Sequence, residues 1–189
     1  MSTAHGIETE VKIRLSEKVA AQRLLADAGF AISVARGFES NTLYDTADLK
    51  LRNAEMLLRL RQSGGKSIIT WKGPSVPGPH KTRPELETSI GSSETLDQIL
   101  RTLGYQPVFR YEKYRTEYKQ QSAAADGVVT LDETPIGDFL ELEGTADWID
   151  KTAALLGFDR GAYVLASYGR LYLDYCAAQG LEPGNMVFP

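Results

Sequence analysis

The sequence predicts an α+β fold: a closed, eight-stranded antiparallel β-barrel, a tunnel with a polar interior and its helices packed on the outside. Three observations predict it. About eight segments alternate with period 2, and on most of them one face is charged while the other holds Leu, Ile, Val, Trp or Tyr. Three or four segments of helical periodicity carry apolar stripes that need an apolar surface to bury. The charged faces repeat like charges two residues apart, as in Glu8-x-Glu10 and Arg59-x-Arg61. An ordinary antiparallel sheet solvates its charged face. If the helices cover the apolar faces, the charged faces must instead look inward across a barrel.

Taken in order, Ile7 to Ile13 alternates strictly, with Ile7, Val11 and Ile13 on one face and Glu8, Glu10 and Lys12 on the other. Ser16 to Gly29 is expected to be a helix, N-capped by Ser16, striped by Val19, Leu24 and Leu25, and ended by Gly29. A strand from Arg36 to Tyr44 follows, then a helical turn within Ala47 to Asn53. Met56 to Arg61 and Lys66 to Lys72 are strands joined by a Gly64-Gly65 hairpin turn. Arg59 and Arg61 share one face of the first, and Thr70 and Lys72 one face of the second. Gly73 to His80, with three prolines and two glycines, is expected to be an exposed, mobile loop that could act as a lid over one tunnel mouth. Arg83, Glu85 and Glu87 then share a strand face.

Ser93 to Leu103 is the second helix, stopped by Gly104, and Phe109 to Lys119 a long strand with Lys113 and Arg115 on one face and Tyr114 and Tyr118 on the other. A turn over Ser122 to Gly127 leads into a hairpin of Val128 to Asp132 and Asp138 to Glu143. Thr145 caps a third helix to Gly157, a last helix runs from about Ala162 to Cys176, and the tail from Gly180 is irregular. Three times a Glu-x-Glu strand is followed by a helix ending in Gly plus an aromatic, at Gly29-Phe30, Gly104-Tyr105 and Gly157-Phe158. This is either a decayed internal duplication or the common glycine stop of helices. Trp71, Tyr114 and Tyr118 are expected to form core under the helices, and His5 and His80 to be bystanders.

With 189 residues, 42% of them hydrophobic, the chain supports one domain, residues 1-189, with its core at about 5-176 and a C-terminal tail at 180-189. The net charge of −4 argues against a nucleic-acid groove. Met1 to Gly6 lacks a secretory apolar run, no segment is long enough to span a membrane, and Cys176 is the sole cysteine, so a cytoplasmic setting is expected. A homodimer is expected only as the commonest assembly.

The inward-facing groups would be Glu8, Glu10, Glu85, Glu87, Asp132, Glu141 and Glu143 against Lys12, Arg59, Arg61, Lys72, Arg83, Lys113 and Arg115. Residues two apart on a strand are about 6.6 Å apart. Like charges at that distance repel by roughly 2.5 kcal/mol at an effective dielectric of about 20. Such pairs cost stability unless ligands of opposite charge occupy the site. All-oxygen carboxylate clusters suit Mg²⁺ or Mn²⁺, and a rank of Arg and Lys suits a polyphosphate. Together they imply a metal-polyphosphate chelate.

Glu8-x-Glu10-x-Lys12, Tyr44-Asp45-Thr46, Leu58-Arg59-Leu60-Arg61, Thr70-Trp71-Lys72-Gly73-Pro74, Arg83-x-Glu85-x-Glu87, Lys113-Tyr114-Arg115 and Leu131-Asp132-Glu133 through Gly137 to Glu143 resemble, in the same order, the motifs of the CYTH family. That family takes in class IV adenylate cyclases, thiamine triphosphatases and inorganic triphosphatases, the triphosphate tunnel metalloenzymes. The resemblance runs from about residue 5 to 170 and implies the same tunnel fold. It implies that Glu8, Glu10, Asp132, Glu141 and Glu143, with Glu85 and Glu87 as additions, bind Mg²⁺ or Mn²⁺. Lys12, Arg59, Arg61, Lys72, Lys113 and Arg115, joined by Arg83, would grip the triphosphate. Glu8, Glu10, Lys12, Lys113 and Arg115 would form the catalytic set. The implied activity is metal-dependent hydrolysis of inorganic or organic triphosphate. The alternatives are cyclisation of ATP to cyclic AMP and pyrophosphate, and a non-catalytic polyphosphate- or nucleotide-binding module. The lysine that thiamine triphosphatases carry near the C-terminus has no counterpart in Ser167-Tyr168-Gly169-Arg170, which argues against thiamine triphosphate.

Overall fold

The computed structural model describes residues 6–120 and 127–189. The strands are β1 (Ile7–Arg14), β2 (Phe30–Thr46), β3 (Leu57–Ser63), β4 (Lys66–Lys72), β5 (Lys81–Ile90), β6 (Tyr105–Gln120), β7 (Gly127–Thr134), β8 (Gly137–Gly144) and the two-residue β9 (Tyr163–Val164). The helices are α1 (Lys18–Asp27), α2 (Lys50–Asn53), α3 (Ser93–Thr102), α4 (Ala146–Leu155) and α5 (Tyr168–Gln179). The order β5-β4-β3-β2-β6-β7-β8-β1 closes through pairing of β1 with β5, all antiparallel, giving the eight-stranded barrel. Closure needs β1 to serve two partners on one edge. Ile7 to Glu10 pair with β5, and Lys12 and Ile13 with β9.

The connectivity repeats. The unit β1-α1-β2-β3-β4 is followed by β5-α3-β6-β7-β8, and the long strands β2 and β6 pair with each other as β1 pairs with β5. Two repeats, not three, carry this symmetry, because α4 follows the last strand of the second unit instead of the first. Gly64 and Gly65 take φ of 55° and 76°, the pair of positive values that a tight two-residue hairpin turn requires. The expected turn at Ser122 to Gly127 falls outside the described residues except for Gly127, and His5 is outside them too.

The apolar strand faces point outward under the helices, as the charge pattern requires. Val11, Ile13, Val129, Leu131, Leu140 and Leu142 pack against Ala21 and Leu25 of α1 and Ile149 and Ala153 of α4, with Tyr118 in the same cluster. Tyr44 and Leu60 receive Leu100 of α3. Phe109, Tyr111, Ile136 and Phe139 meet Tyr168 and Leu171 of α5 at one end of the barrel. The Tyr44-Asp45-Thr46 motif is structural: Tyr44 donates to Asp97 at 2.6 Å, and Asp45 accepts the backbone N–H groups of Leu51 and Arg52 at 2.9 Å, seating α2.

Several expectations need correction. Helix α1 starts at Lys18, and Glu17, not Ser16, precedes it without a side-chain cap. Ala21 and Leu25 face the sheet, while Val19 and Leu24 flank that stripe and are exposed. Ile7 is 70% exposed, since it lies beyond the part of β1 that α1 and α4 cover. Strand β2 begins at Phe30, directly after the glycine that ends α1. The last helix starts at Tyr168, where Ser167 accepts the N–H of Arg170, because the preceding stretch is taken up by a 3₁₀ turn at Arg160–Ala162 and by β9. Tyr114 packs on Phe38 and Phe188 with the Arg36 guanidinium over its ring, not under a helix. The loop after β4 is exposed between residues 74 and 79 but tied down, with Val76 N–H donating to Thr82 O at 2.7 Å. His80 is buried, its Nε2 2.9 Å from Asp150, which also accepts from Tyr163 and Arg160. Within the tail, Met186 is fully buried and pairs with β6, accepting from Glu112 N–H and donating to Arg110 O.

Candidate active site

A cavity of about 530 Å³ runs inside the barrel, and the alternation of each strand decides what lines it. β1 contributes Glu8, Glu10 and Lys12; β3 Arg59 and Arg61; β4 Lys72; β5 Lys81, Arg83, Glu85 and Glu87; β6 Lys113 and Arg115; β8 Glu141 and Glu143. Of the residues singled out from sequence, Asp132 alone does not line the cavity.

Two groups of charge meet along β1. Lys12 Nζ is 2.9 Å from Glu10 and 3.1 Å from Glu141, and Lys81 Nζ is 2.8 Å from Glu10. Glu8 takes Lys72 and Arg83, and Lys72 also reaches Glu85 at 3.1 Å. On the β3 side, Arg61 donates to Glu87 at 2.9 Å, and Arg59 donates to Thr70 and to the Tyr111 hydroxyl. On the β6 side, Asp132 is completely buried on the inner face of β7, covered by Lys113, Arg115 and Tyr168. It accepts from Lys113 at 2.8 Å, from the Arg115 fork at 2.6 Å on each oxygen, and from the Tyr168 hydroxyl at 2.6 Å. Arg115 also pairs with Glu141. The Tyr168 ring lies 5.2 Å from both Lys12 and Lys113 ammonium groups, a cation–π support for the two.

Proton affinities follow these surroundings. Burial opposes the charge on Glu10, but Lys12 and Lys81 outweigh it and hold the carboxyl at about 2. Glu143 stands directly opposite Glu10 in the β1–β8 register. Loss of water in the tunnel wall, then the charges of Glu8 and Glu141, push its carboxyl up to about 7, with Lys72 opposing. Its side chain nevertheless opens onto the tunnel space, so it is accessible to a ligand. Burial brings Lys81 down to about 8, Glu10 offsetting only part of the effect.

Sequence reasoning missed Lys81, Glu39 and Tyr168. Lys81 extends the Arg83-x-Glu85-x-Glu87 alternation by one step, which was the available signal. Glu39 is buried on β2, and despite that burial Lys113, Arg115 and Arg61 hold its carboxyl at about 2. Tyr168 could not be recognised in a stretch that looked like mid-helix. Arg170 pairs with Asp174 along α5 and does not line the cavity.

The donor chemistry of Glu8, Glu10, Glu141 and Glu143 is all-oxygen and fits a hard divalent cation, with Glu143 raised first by burial and then by the charges of Glu8 and Glu141. Among the described residues no three acidic, His or Cys side chains converge at metal-holding distance, since Lys12, Lys72, Lys81 and Arg83 occupy the carboxylates. Among the described residues, no helix is long and apolar enough to cross a membrane.

Comparison with known proteins places this geometry. The chain is 30% identical over 151 residues, 79% of its own length and 83% of the relative's, to a Methanocaldococcus jannaschii protein named "putative adenylate cyclase". A Vibrio parahaemolyticus structure described in the same words superposes with a TM-score of 0.76 at 19% identity, covering 88% of this chain and 97% of that one. A Hippeastrum protein described as a "putative adenylyl cyclase" with a dominant triphosphatase activity superposes at 0.61 and 19% identity, covering 93% and 97%. At such identities the two structures establish the fold. The sequence profile of the CYTH domain matches residues 6–156, over the strands that build the charged tunnel, and the chain is therefore a member of the CYTH domain family.

Proposed function

We propose that this protein is a divalent-metal-dependent enzyme acting on a triphosphate held in the tunnel, hydrolysing inorganic triphosphate or an organic triphosphate, with Mg²⁺ or Mn²⁺ as the metal. The observation that carries this reading is the Glu8–Glu10–Glu141–Glu143 crowd, with Glu143 at about 7, facing a cationic wall inside one cavity. Glu8, Glu10, Glu141 and Glu143 would hold the metal, with Glu85 adjacent. When bound, the metal would neutralise phosphate oxygens and make phosphorus more open to attack. Lys12, Arg59, Arg61, Lys72, Arg83, Lys113 and Arg115, joined by Lys81, would grip the polyphosphate and stabilise the charge that grows on the transferring group. Asp132 is here a positioning group and not a metal ligand: it has no face on the cavity, and its oxygens fix Lys113 and Arg115.

Each ammonium that pairs a carboxylate in the tunnel is one a polyanion would draw away, releasing that carboxylate for metal. Polyphosphate and metal binding should therefore be mutually reinforcing.

A second reading, cyclisation of ATP, is favoured by the name of the Methanocaldococcus jannaschii relative. There the substrate's own ribose 3′-hydroxyl would attack and pyrophosphate would leave. A panel of inorganic triphosphate, ATP and thiamine triphosphate, each with Mg²⁺ and Mn²⁺ and assayed for phosphate, pyrophosphate and cyclic AMP, decides between them. Metal-dependent phosphate release from inorganic triphosphate is expected. No turnover and no binding of any triphosphate with either metal would overturn both readings.

A further inference from the structure

Among the described residues, six buried side-chain nitrogen and oxygen atoms have no hydrogen-bond partner, and all but Thr130 Oγ1 lie on the β2–β3 wall. They are Glu39 Oε2, both amide atoms of Asn41, and the Nε atoms of Arg59 and Arg61. Folded proteins pair nearly all such groups, and each one left unpaired destabilises the fold. Asn41 is the extreme case, fully buried with neither a donor nor an acceptor satisfied. For the fold alone, an apolar residue of similar size would serve better at this position.

The unpaired atoms are complementary. Asn41 stands directly opposite Arg61 in the β2–β3 register, and Glu39 is two residues away on the same face of β2. Arg61 Nε is a donor lacking an acceptor and Glu39 Oε2 an acceptor lacking a donor, and the Asn41 amide can serve both. The charged groups are committed elsewhere: Arg61 Nη2 donates to Glu87 at 2.9 Å, its Nη1 is 3.7 Å from Glu39 Oε1, and Lys113 Nζ is 3.7 Å from Glu39 Oε2. Glu87 sits at the rim and is exposed, so an anion in the tunnel competes with it directly.

We infer that Asn41 is a positioning residue for Arg61. When a phosphate group draws Arg61 off Glu87, Asn41 Oδ1 accepts from Arg61 Nε–H and Asn41 Nδ2 donates to Glu39 Oε2, fixing the arginine toward the anion. Glu39 is then held off the arginine it would otherwise neutralise. The cost of an unpaired amide in the empty protein is recovered in the ligand-bound one. This inference rests on the triphosphate reading of the tunnel.

The test measures thermal stability and calorimetric affinity for inorganic triphosphate with Mg²⁺ in the whole protein, in Asn41→Leu, and in both Asn41 backgrounds of Arg61→Lys. Asn41→Leu is expected to be as stable as the parent or more so, yet to bind inorganic triphosphate about tenfold more weakly, the scale of one hydrogen bond to a charged group. In the Arg61→Lys background, which lacks Nε, the same change should cost less than twofold, because the two residues act as one unit. Equal affinity of Asn41→Leu and parent, an equal loss in both backgrounds, or a loss of stability without a loss of affinity would each overturn the inference. Should the leucine variant fail to fold, Asn41→Ser, smaller and polar, carries the same comparison. A parent protein that binds no inorganic triphosphate refutes the tunnel reading itself, a separate outcome.

Discussion

Glu10 and Glu143 face each other across β1 and β8, yet replacing each by glutamine should move stability in opposite directions. Glu10 is buried between Lys12 and Lys81, and its carboxyl sits at about 2 in the folded chain against 4.5 ordinarily. The unfolded state therefore binds more protons between those values. The charge on Glu10 contributes stability that is complete above pH 4.5 and lost as pH falls toward 2. The difference corresponds to about 3 kcal/mol. Glu10→Gln also strands the Lys81 ammonium, so a loss of about 3 kcal/mol at pH 7.5 is expected, in the range for breaking a buried pair. Glu143 is the reverse. Its folded carboxyl is at about 7, so the folded state binds more protons between pH 4.5 and 7, and its ionisation costs stability over that window and fully above it. The side chain opens onto tunnel water, which screens this cost to about 1–2 kcal/mol. Thermal unfolding in EDTA from pH 4.5 to 8.5 is the assay. At pH 8, Glu143→Gln should melt roughly 3–6 °C above the parent and Glu10→Gln roughly 6–12 °C below it. The Glu143→Gln gain should vanish by pH 4.5. Both variants should lose metal-dependent turnover. A Glu143→Gln protein less stable than the parent at pH 8, or a gain independent of pH, would refute the electrostatic account of this pair.

Lys81, at about 8, should lose its charge as pH rises through that value, so affinity for inorganic triphosphate should fall between pH 7.5 and 9. Lys81→Arg should move the fall out of the range, and calorimetric titration at several pH values checks it. Gly127→Ala should cost about 3 kcal/mol or more, read as a denaturation midpoint, because an added Cβ would sit 2.4 Å from the Trp148 ring and 2.6 Å from the Glu143 carbonyl oxygen. Adding Mg²⁺ and inorganic triphosphate together, as one chelate at about 100-fold above its dissociation constant, should stabilise the protein by about 2.7 kcal/mol. Either component alone should give clearly less, because each displaces the other's internal partners, and thermal shift measurements report the difference.

Much of this protein is determined by its sequence alone. Period-2 alternation assigns the charged tunnel side chains on β1, β3, β4, β5 and β8 to the inner face. The apolar residues between them, Val11, Ile13, Leu140 and Leu142, must then meet helices. Like charges two apart, as at Glu8-Glu10 and Glu141-Glu143, signal a ligand because no fold needs them. The local cap at Thr145 is equally legible, since it serves its own chain neighbours. Tertiary structure decided which charges pair, because partners such as Lys81 and Glu10 lie 71 residues apart and meet only when β5 closes onto β1. It decided that Glu10 is held low while Glu143 opposite is raised, a difference set by burial and neighbours that identical side chains cannot reveal. It also withdrew Asp132 from the cavity, brought Tyr168 behind it, and left Asn41 unpaired. Those three outcomes depend on how α5 and the strands pack around the barrel, which no local pattern encodes.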